Sequence, residues 1–454
     1  MIASDLAAWA ADLALADIPE RVRTAALDHV LDGVGNAVAA RRLGHGTPGL
    51  TVARGLGGPP QAQPIGDVDR IGAAAAAFAN GVLVHALDFD DTHALALVHP
   101  TAVVIPAAFA VAQETGADGA ATLVAIVAGL ETACRLGAGT PHGFHGRGLH
   151  ATGVIGPLAA AVTAAKLYGA DSSTIADAIG IAASSSAGIL EFLETGSDTK
   201  VIHPGSASLN GVIAARLAVE GADGPVSALE GPRGVYRAFA DRDPDLPTVV
   251  GDLGTRWETE SIGIKPYPSC QLMHSALDAT VRALVGGGAG GEITDVSVGI
   301  HPDSLGIVAG PETGRRPPRT TYDAKFDLPW SVAAALHDGG VTVATYTPES
   351  IARPEVAATA ASVHVFTVDD DRPAADVGAT VRVTLADGST HDGVVDASRG
   401  SRGRPMSTDD VLVKFAGNCG TSVETTALAE AVMHLAAAES VSAILSAAAD
   451  LVNG

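Results

Sequence analysis

The sequence predicts a mainly α protein: a large all-helical domain drawn from both ends of the chain, with a smaller α+β lid domain inserted. Three observations carry this. Apolar residues recur at 3- and 4-residue steps through the first 262 residues. β-branched alternation replaces that period near Ile293, and helical spacing returns at Asp409. The composition is rich in Ala and Gly and poor in aromatics (Phe 9, Tyr 5, Trp 3), which suits helices packed through small side chains.

The elements follow in order. An amphipathic helix opens the chain after Ser4 and Asp5. Residues 19–42 form the next, with Val22, Ala26, Leu27, Val30, Leu31, Val34 and Val38 on one face. Similar periodicity predicts helices over 71–87, 100–114, 118–136, 154–168, 173–189 and 206–220, broken by Gly- and Pro-containing stretches. Gly286 to Gly291 reads as a flexible joint. Strands are expected over Ile293 to His301 and Ser362 to Val368. A hairpin is expected over Thr380 to Val395, turning at Ala386-Asp387-Gly388-Ser389. Helices are expected over Trp330 to Leu336 and Pro348 to Ala360, and again from Asp409 onward. The expected domains are 1–262 with 406–454, and 263–405.

The formal charge is −23, which argues against a polyphosphate, nucleic-acid or membrane-surface partner, since these call for a basic face. No uncharged apolar run reaches 18 residues, so no membrane span is expected. The N-terminus lacks a basic start and an unbroken apolar stretch, so no signal peptide is expected. Cys134, Cys270 and Cys419 are odd in number and far apart, which predicts free thiols and a cytoplasmic protein. Gly44-His-Gly46-Thr-Pro-Gly49 follows a helix rather than a strand, so it is not a dinucleotide loop. Without a C-x-x-C pair, an iron–sulfur cluster is not expected.

Three groups of residues carry chemistry. His85-Ala-Leu-Asp88-Phe-Asp90-Asp91-Thr92-His93, with His99-Pro100 close behind, gathers carboxylates and histidines in an apolar setting. If the helix runs to Thr92, Asp88 and Thr92 share one face and His85 lies a turn earlier. Such a set suits proton transfer or a divalent metal. The second group is His142, His145, Arg147 and His150, punctuated by Gly143, Gly146 and Gly148. The third is lysine usage: five lysines stand against 23 arginines. Lys200 and Lys265 lie in Gly/Pro-punctuated loops, as an amine that binds a carboxylate would. Lys166 reads as a helix-face residue.

Together these motifs resemble the MmgE/PrpD family, which includes 2-methylcitrate dehydratase and cis-aconitate decarboxylase. The resembling segments run in family order: LDGVG at Leu31, HALDFDDTH with His99-Pro100, GRGLHATGVIGPLAAAVTAAKLYG, GSDTKVIHPGSASLNGVIAA, KPYPSCQLMHSALDA, DAKFDLPWSVAAAL and VLVKF. The resemblance implies a helical domain built from both chain ends, an inserted α+β lid, a homodimer, no cofactor and no metal. It places the catalytic set on Asp88, His99, His150, Lys200 and Lys265, and substrate-binding residues at Thr92, His203, Tyr267 and His274. The implied function is a cofactor-free lyase acting on a di- or tricarboxylate by dehydration or decarboxylation.

The chain departs from the family pattern in places. Val201, Ser206 and Gln271 stand where the family tends to place arginine, and the Thr92–His99 spacing is one residue longer. This predicts a less anionic substrate unless Arg147 or Arg315 supplies the missing charge. The same acid–base set would also serve an epimerase or isomerase. A magnesium-dependent prenyl-diphosphate cyclase is the competing reading of an Asp-rich helical protein, but it needs a second metal motif and a basic diphosphate grip. A catalytically silent ligand-binding member is the third.

Overall fold

A computed structural model describes residues 1–288, 291–309 and 317–454. The protein is mainly helical, with a small mixed sheet in its C-terminal region. It divides into two compact units: Met1–Leu190 with Thr199–Ile262 and Ser407–Gly454, and Glu191–Asp198 with Gly263–Met406.

The first unit is organised around the Ala151–Leu167 helix, in which every residue but Lys166 is buried. It packs against the Thr101–Thr115, Gly119–Ala138, Ser172–Ala183 and Ile202–Val219 helices. Its sequence, ATGVIGPLAAAVTAAKL, explains how so many neighbours fit: small side chains let backbones approach from all sides. Gly119–Ala138 is long and apolar enough to cross a membrane, but it is 89% buried here as a core helix and carries the internal Glu131–Arg135 ion pair. Asp118 and Asp171 cap two of these helices by accepting from backbone amides three residues on. Lys166 donates to Ala10 O at 2.6 Å, at the C-terminal end of the Ile2–Asp12 helix.

One crossing positions the site. The Ala73–His85 and Ile202–Val219 helices touch at Gly81 and Gly205, where a Cβ on Gly81 would lie 2.7 Å from Gly205 Cα. Only glycine allows that approach. It brings the C-terminal end of one helix beside the segment leading into the other.

In the second unit, Ile293–Ile300 pairs in parallel with Val363–Thr367 and antiparallel with Ala379–Leu385, which pairs antiparallel with Thr390–Val395. The expected strands and hairpin are present, with Gly388 at φ 85° in the turn. The His274–Ala283 helix lies against this sheet at Gly393, where a Cβ would strike Ala279 O. Val296, Val298, Val381, Val383, Leu277 and Trp330 fill the core between them.

Two of the expected helices differ in extent. The 173–189 helix ends at Ala183, where Ser184, Ser185 and Ser186 turn the chain. The 348–360 helix is two, Pro348–Ile351 and Pro354–Ala361, because Pro354 disfavours a helical conformation at Arg353. The joint at Gly286–Gly291 includes Ala289 and Gly290, which lie outside the described residues.

Candidate active site

The Ala73–His85 helix stops at His85 rather than running to Thr92. Asp88 takes φ 52°, a left-handed conformation that ends the helical path and that Asp tolerates better than most residues. Asp88 and Thr92 therefore do not share a helix face. What holds Asp88 is Lys200, whose Nζ donates to Asp88 Oδ1 at 2.9 Å. Asp88 is fully buried and Lys200 is 6% exposed.

The three clustered carboxylates divide among three tasks. Asp88 takes Lys200. Asp90 takes His85, whose Nδ1 lies 2.8 Å from both carboxylate oxygens. Asp91 is structural: it accepts from the Thr101 amide and hydroxyl at the start of the Thr101–Thr115 helix and pairs with His29 Nδ1 at 2.8 Å. Burial alone would depress His29, but the Asp91 hydrogen bond and the Asp91, Asp32 and Asp28 charges outweigh it and raise its pKa.

His99 sits on the loop that follows. Its amide donates to Thr152 Oγ1 at 3.0 Å, and its Nδ1 lies 2.7 Å from Asp91 O and 3.1 Å from Thr92 Oγ1. Thr92 thus orients His99. His150 stands at the N-terminus of the Ala151–Leu167 helix, its amide held by Gly188 O. Its Nδ1 meets His203 Nδ1 at 3.0 Å, so one ring must donate and the other accept. The His150 ring lies 5.2 Å from that of His203, 5.6 Å from His99 and 6.0 Å from His145.

Electrostatics favour the neutral form of His150, His203 and His145. Burial, then the Lys200 charge and the neighbouring histidines, hold His150 well below the ordinary value. Burial, His85 and Lys200 bring His203 down to about 4, and burial, His142 and Lys200 bring His145 to about 4. His150 at neutral pH is therefore an imidazole able to accept a proton, not a standing imidazolium. His142 and Arg147 are exposed, and Arg315 lies outside the described residues.

The structure therefore brings Asp88, Thr92, His99, His150, Lys200 and His203 together in the first unit. Lys265, Tyr267 and His274 belong to the second. There Lys265 is fully buried. Tyr267 donates to Asp278 Oδ1 at 2.8 Å, and burial, then Asp278, raise its pKa. His274 Nε2 lies 3.1 Å from Ser269 O. Gln271 is buried, and its Oε1 has no hydrogen-bond partner among the described residues. Lys325, which sequence reasoning passed over, anchors this segment: its Nζ donates to Pro268 O at 3.1 Å, and its carbonyl accepts from the Cys270 amide.

Lys414 was also passed over as a functional position. It donates to Phe89 O at 2.6 Å and pairs with Asp32, tying the Thr408–Cys419 helix beneath the site loop. Its signal was a lone lysine in VLVKF. His85, Asp90 and His99 bring ligand-type atoms within 4.8 Å of one another. The two Nδ1 atoms are hydrogen-bonded, His85 to Asp90 and His99 to Asp91 O. All three cysteines are free and buried.

The first unit thus holds buried histidines beside a Lys–Asp pair, side chains of the kind that move protons. Comparison with known proteins makes the class specific. The MmgE/PrpD N-terminal domain matches residues 4–246 and the MmgE/PrpD C-terminal domain matches residues 267–438, so the chain belongs to the MmgE/PrpD family. It is 26% identical to a cis-aconitate decarboxylase of Aspergillus terreus (strain NIH 2624 / FGSC A1156) over 455 residues, covering 94% of this chain and 91% of that one. It is 28% identical to the cis-aconitate decarboxylase of Homo sapiens over 363 residues, covering 76% and 72%. The protein is an MmgE/PrpD-family enzyme, from a family of lyases, related to cis-aconitate decarboxylases at low identity.

Proposed function

We propose that this chain is a cofactor-free lyase that moves a proton next to a carboxylate of a di- or tricarboxylate-like substrate, by dehydration or decarboxylation. The observation that carries the reading is the neutral His150 packed with His99 and His203 beside the buried Lys200–Asp88 pair. In dehydration, the His150 imidazole takes a proton from the carbon beside a carboxylate. The freed electron pair forms the double bond, and hydroxide leaves with a proton from a second donor. In decarboxylation, the C–CO₂ electron pair moves into the conjugated system, CO₂ departs, and a proton taken up from water by the imidazole is delivered to carbon, so that one proton is consumed per CO₂ released. Both routes develop negative charge next to a carboxylate, where Lys200 supplies a nearby cation. Lys265, carried by its family motif, is the second carboxylate binder of this reading. His99, oriented by Thr92, is the second proton-handling group.

Asp88 is hydrogen-bonded to a lysine, Asp90 to a histidine and Asp91 to a helix start, which supports reading them as parts of the protein's own network rather than as a magnesium cluster of the cyclase kind. Protein dialysed against EDTA is expected to keep its activity. Loss of activity restored by a divalent ion would contradict the reading. The direct test is turnover of a carboxylate panel by wild type and by His150→Ala. A loss of roughly 10²-fold or more in kcat with an intact fold is expected, and unchanged activity would refute it.

A further inference from the structure

His85 is fully buried, and the acid–base reading above does not use it. Its Nδ1 is 2.8 Å from both oxygens of Asp90, which is itself fully buried. Its ring centroid lies 4.7 Å from that of His99 and 6.2 Å from that of His150. Its Nε2 is buried without a hydrogen-bond partner among the described residues. Leaving a buried polar nitrogen unpaired is costly, which sequences rarely accept without return.

We propose that His85 and Asp90 form a carboxylate–imidazole dyad that serves the His99–His150 pair as its proton reservoir. The dyad deepens the acid–base reading and rests on it. The Asp90 carboxylate accepts the Nδ1 proton, which fixes the ring's tautomer and leaves the lone pair on Nε2. When the His99–His150 pair takes a proton from substrate carbon, that proton passes to His85 Nε2. An imidazolium forms against Asp90, and no net charge is left on His99 or His150. In dehydration the proton returns along the same path to the leaving hydroxide, so that cycle balances with no other reactant; in decarboxylation CO₂ leaves and the dyad relays to the product carbon one proton taken from water. The groups facing His85 are Asp90 on its own loop, His99 on the next, His150 at the Ala151–Leu167 helix and His203, whose pKa His85 helps depress. His85 acts through His99 and His150 and is a positioning residue.

The test has a structural arm and a kinetic arm. In the first, nitrogen-15 histidine NMR at neutral pH reads the tautomer of His85, assigned by the signal missing from His85→Asn. Wild type is expected in the Nδ1–H form and Asp90→Ala in the Nε2–H form that free imidazole prefers. An Nε2–H signal in wild type, or no change in Asp90→Ala, overturns the dyad. This arm stands even where no panel acid is turned over, which is how failure of the functional reading itself would show. In the second arm, His85→Asn keeps a donor for Asp90 but has no Nε2. With a panel acid that wild type turns over, its kcat should fall roughly 10²-fold with KM nearly unchanged. The His85→Asn/Asp90→Ala double variant should be little worse than either single change. Full activity in His85→Asn would reduce the pair to a structural contact.

Discussion

Lys200 Nζ reaches Asp88 Oδ1 at 2.9 Å across 112 residues of sequence, and both side chains are buried. The pair joins two short segments: the turn after the Ala73–His85 helix and the 3₁₀ turn Thr199–Val201. Removing one partner leaves an uncompensated buried charge. Lys200→Ala should therefore destabilise the fold by about 3–5 kcal/mol, read as a drop in the denaturant midpoint. An Asp88→Asn/Lys200→Met double variant should recover much of that stability while remaining inactive. A stable, active Lys200→Ala protein would deny the pair both roles.

The Gly81–Gly205 contact is what lets that pair form. Gly81→Ala places a methyl 2.7 Å from Gly205 Cα and 2.8 Å from Gly205 N, backbone atoms that cannot swing aside. Overpacking of this kind costs about 1–3 kcal/mol. Gly81→Ala should lower Tm and raise KM by shifting Lys200, whereas Gly55→Ala, in open space, should do neither. Equal behaviour of the two variants would show that the helix crossing tolerates the methyl.

Acidification should weaken the fold. His203 and His145 titrate near 4 when folded against 6.5 ordinarily, and His150 also lies well below 6.5. Between about pH 6.5 and 4 the unfolded chain thus binds up to three more protons at these positions, so stability falls as pH falls through that window. Asp32, raised by burial to about 6, and Asp28, also raised by burial, act in the opposite sense. The three histidines outweigh the two carboxylates. His29, raised above 6.5, adds stability below that value that is lost at higher pH. Tm measured from pH 7.5 to 4.5 should peak near neutrality and fall toward acid. A flat or rising acid limb would contradict the neutral histidine group.

Much of this was legible in the sequence. The helical periods, the sheet with its hairpin and the motifs around Asp88, His150 and Lys200 all follow from local pattern. The division of labour among Asp88, Asp90 and Asp91 did not, because adjacent residues of one type differ only in their distant partners: Lys200, His85 and His29. The end of the helix at His85 was also hidden, since Asp88 is left-handed for a tertiary reason. Lys414 and Lys325 looked like ordinary lysines. Their burial, and their bonds to Phe89 O and Pro268 O, depend on contacts that spacing alone does not reveal.

Substrate charge follows from three neutral positions. Val201 and Gln271 are buried and Ser206 is partly so, where the family tends to carry arginine. A buried carboxylate without a cationic or multi-donor partner is strongly disfavoured. The enzyme should therefore prefer a dicarboxylate, or an acid with an amide, ester or apolar arm, over 2-methylcitrate and cis-aconitate. A kcat/KM of about 10⁴ M⁻¹s⁻¹ or above for either tricarboxylate, the ordinary enzymatic range, would overturn this preference.

Proton transfer beside a carboxylate is the central claim, and NMR of a panel of di- and tricarboxylic acids in deuterated water tests it most directly. Wild type should place deuterium on a carbon adjacent to a carboxylate, with loss of water or CO₂. Incorporation without net reaction would instead identify an epimerase built on the same residues. His150→Ala and Asp88→Asn should slow the labelling by roughly 10²-fold or more. Labelling at the wild-type rate in both variants, or none from any acid of the panel with folded wild-type protein, would contradict the account.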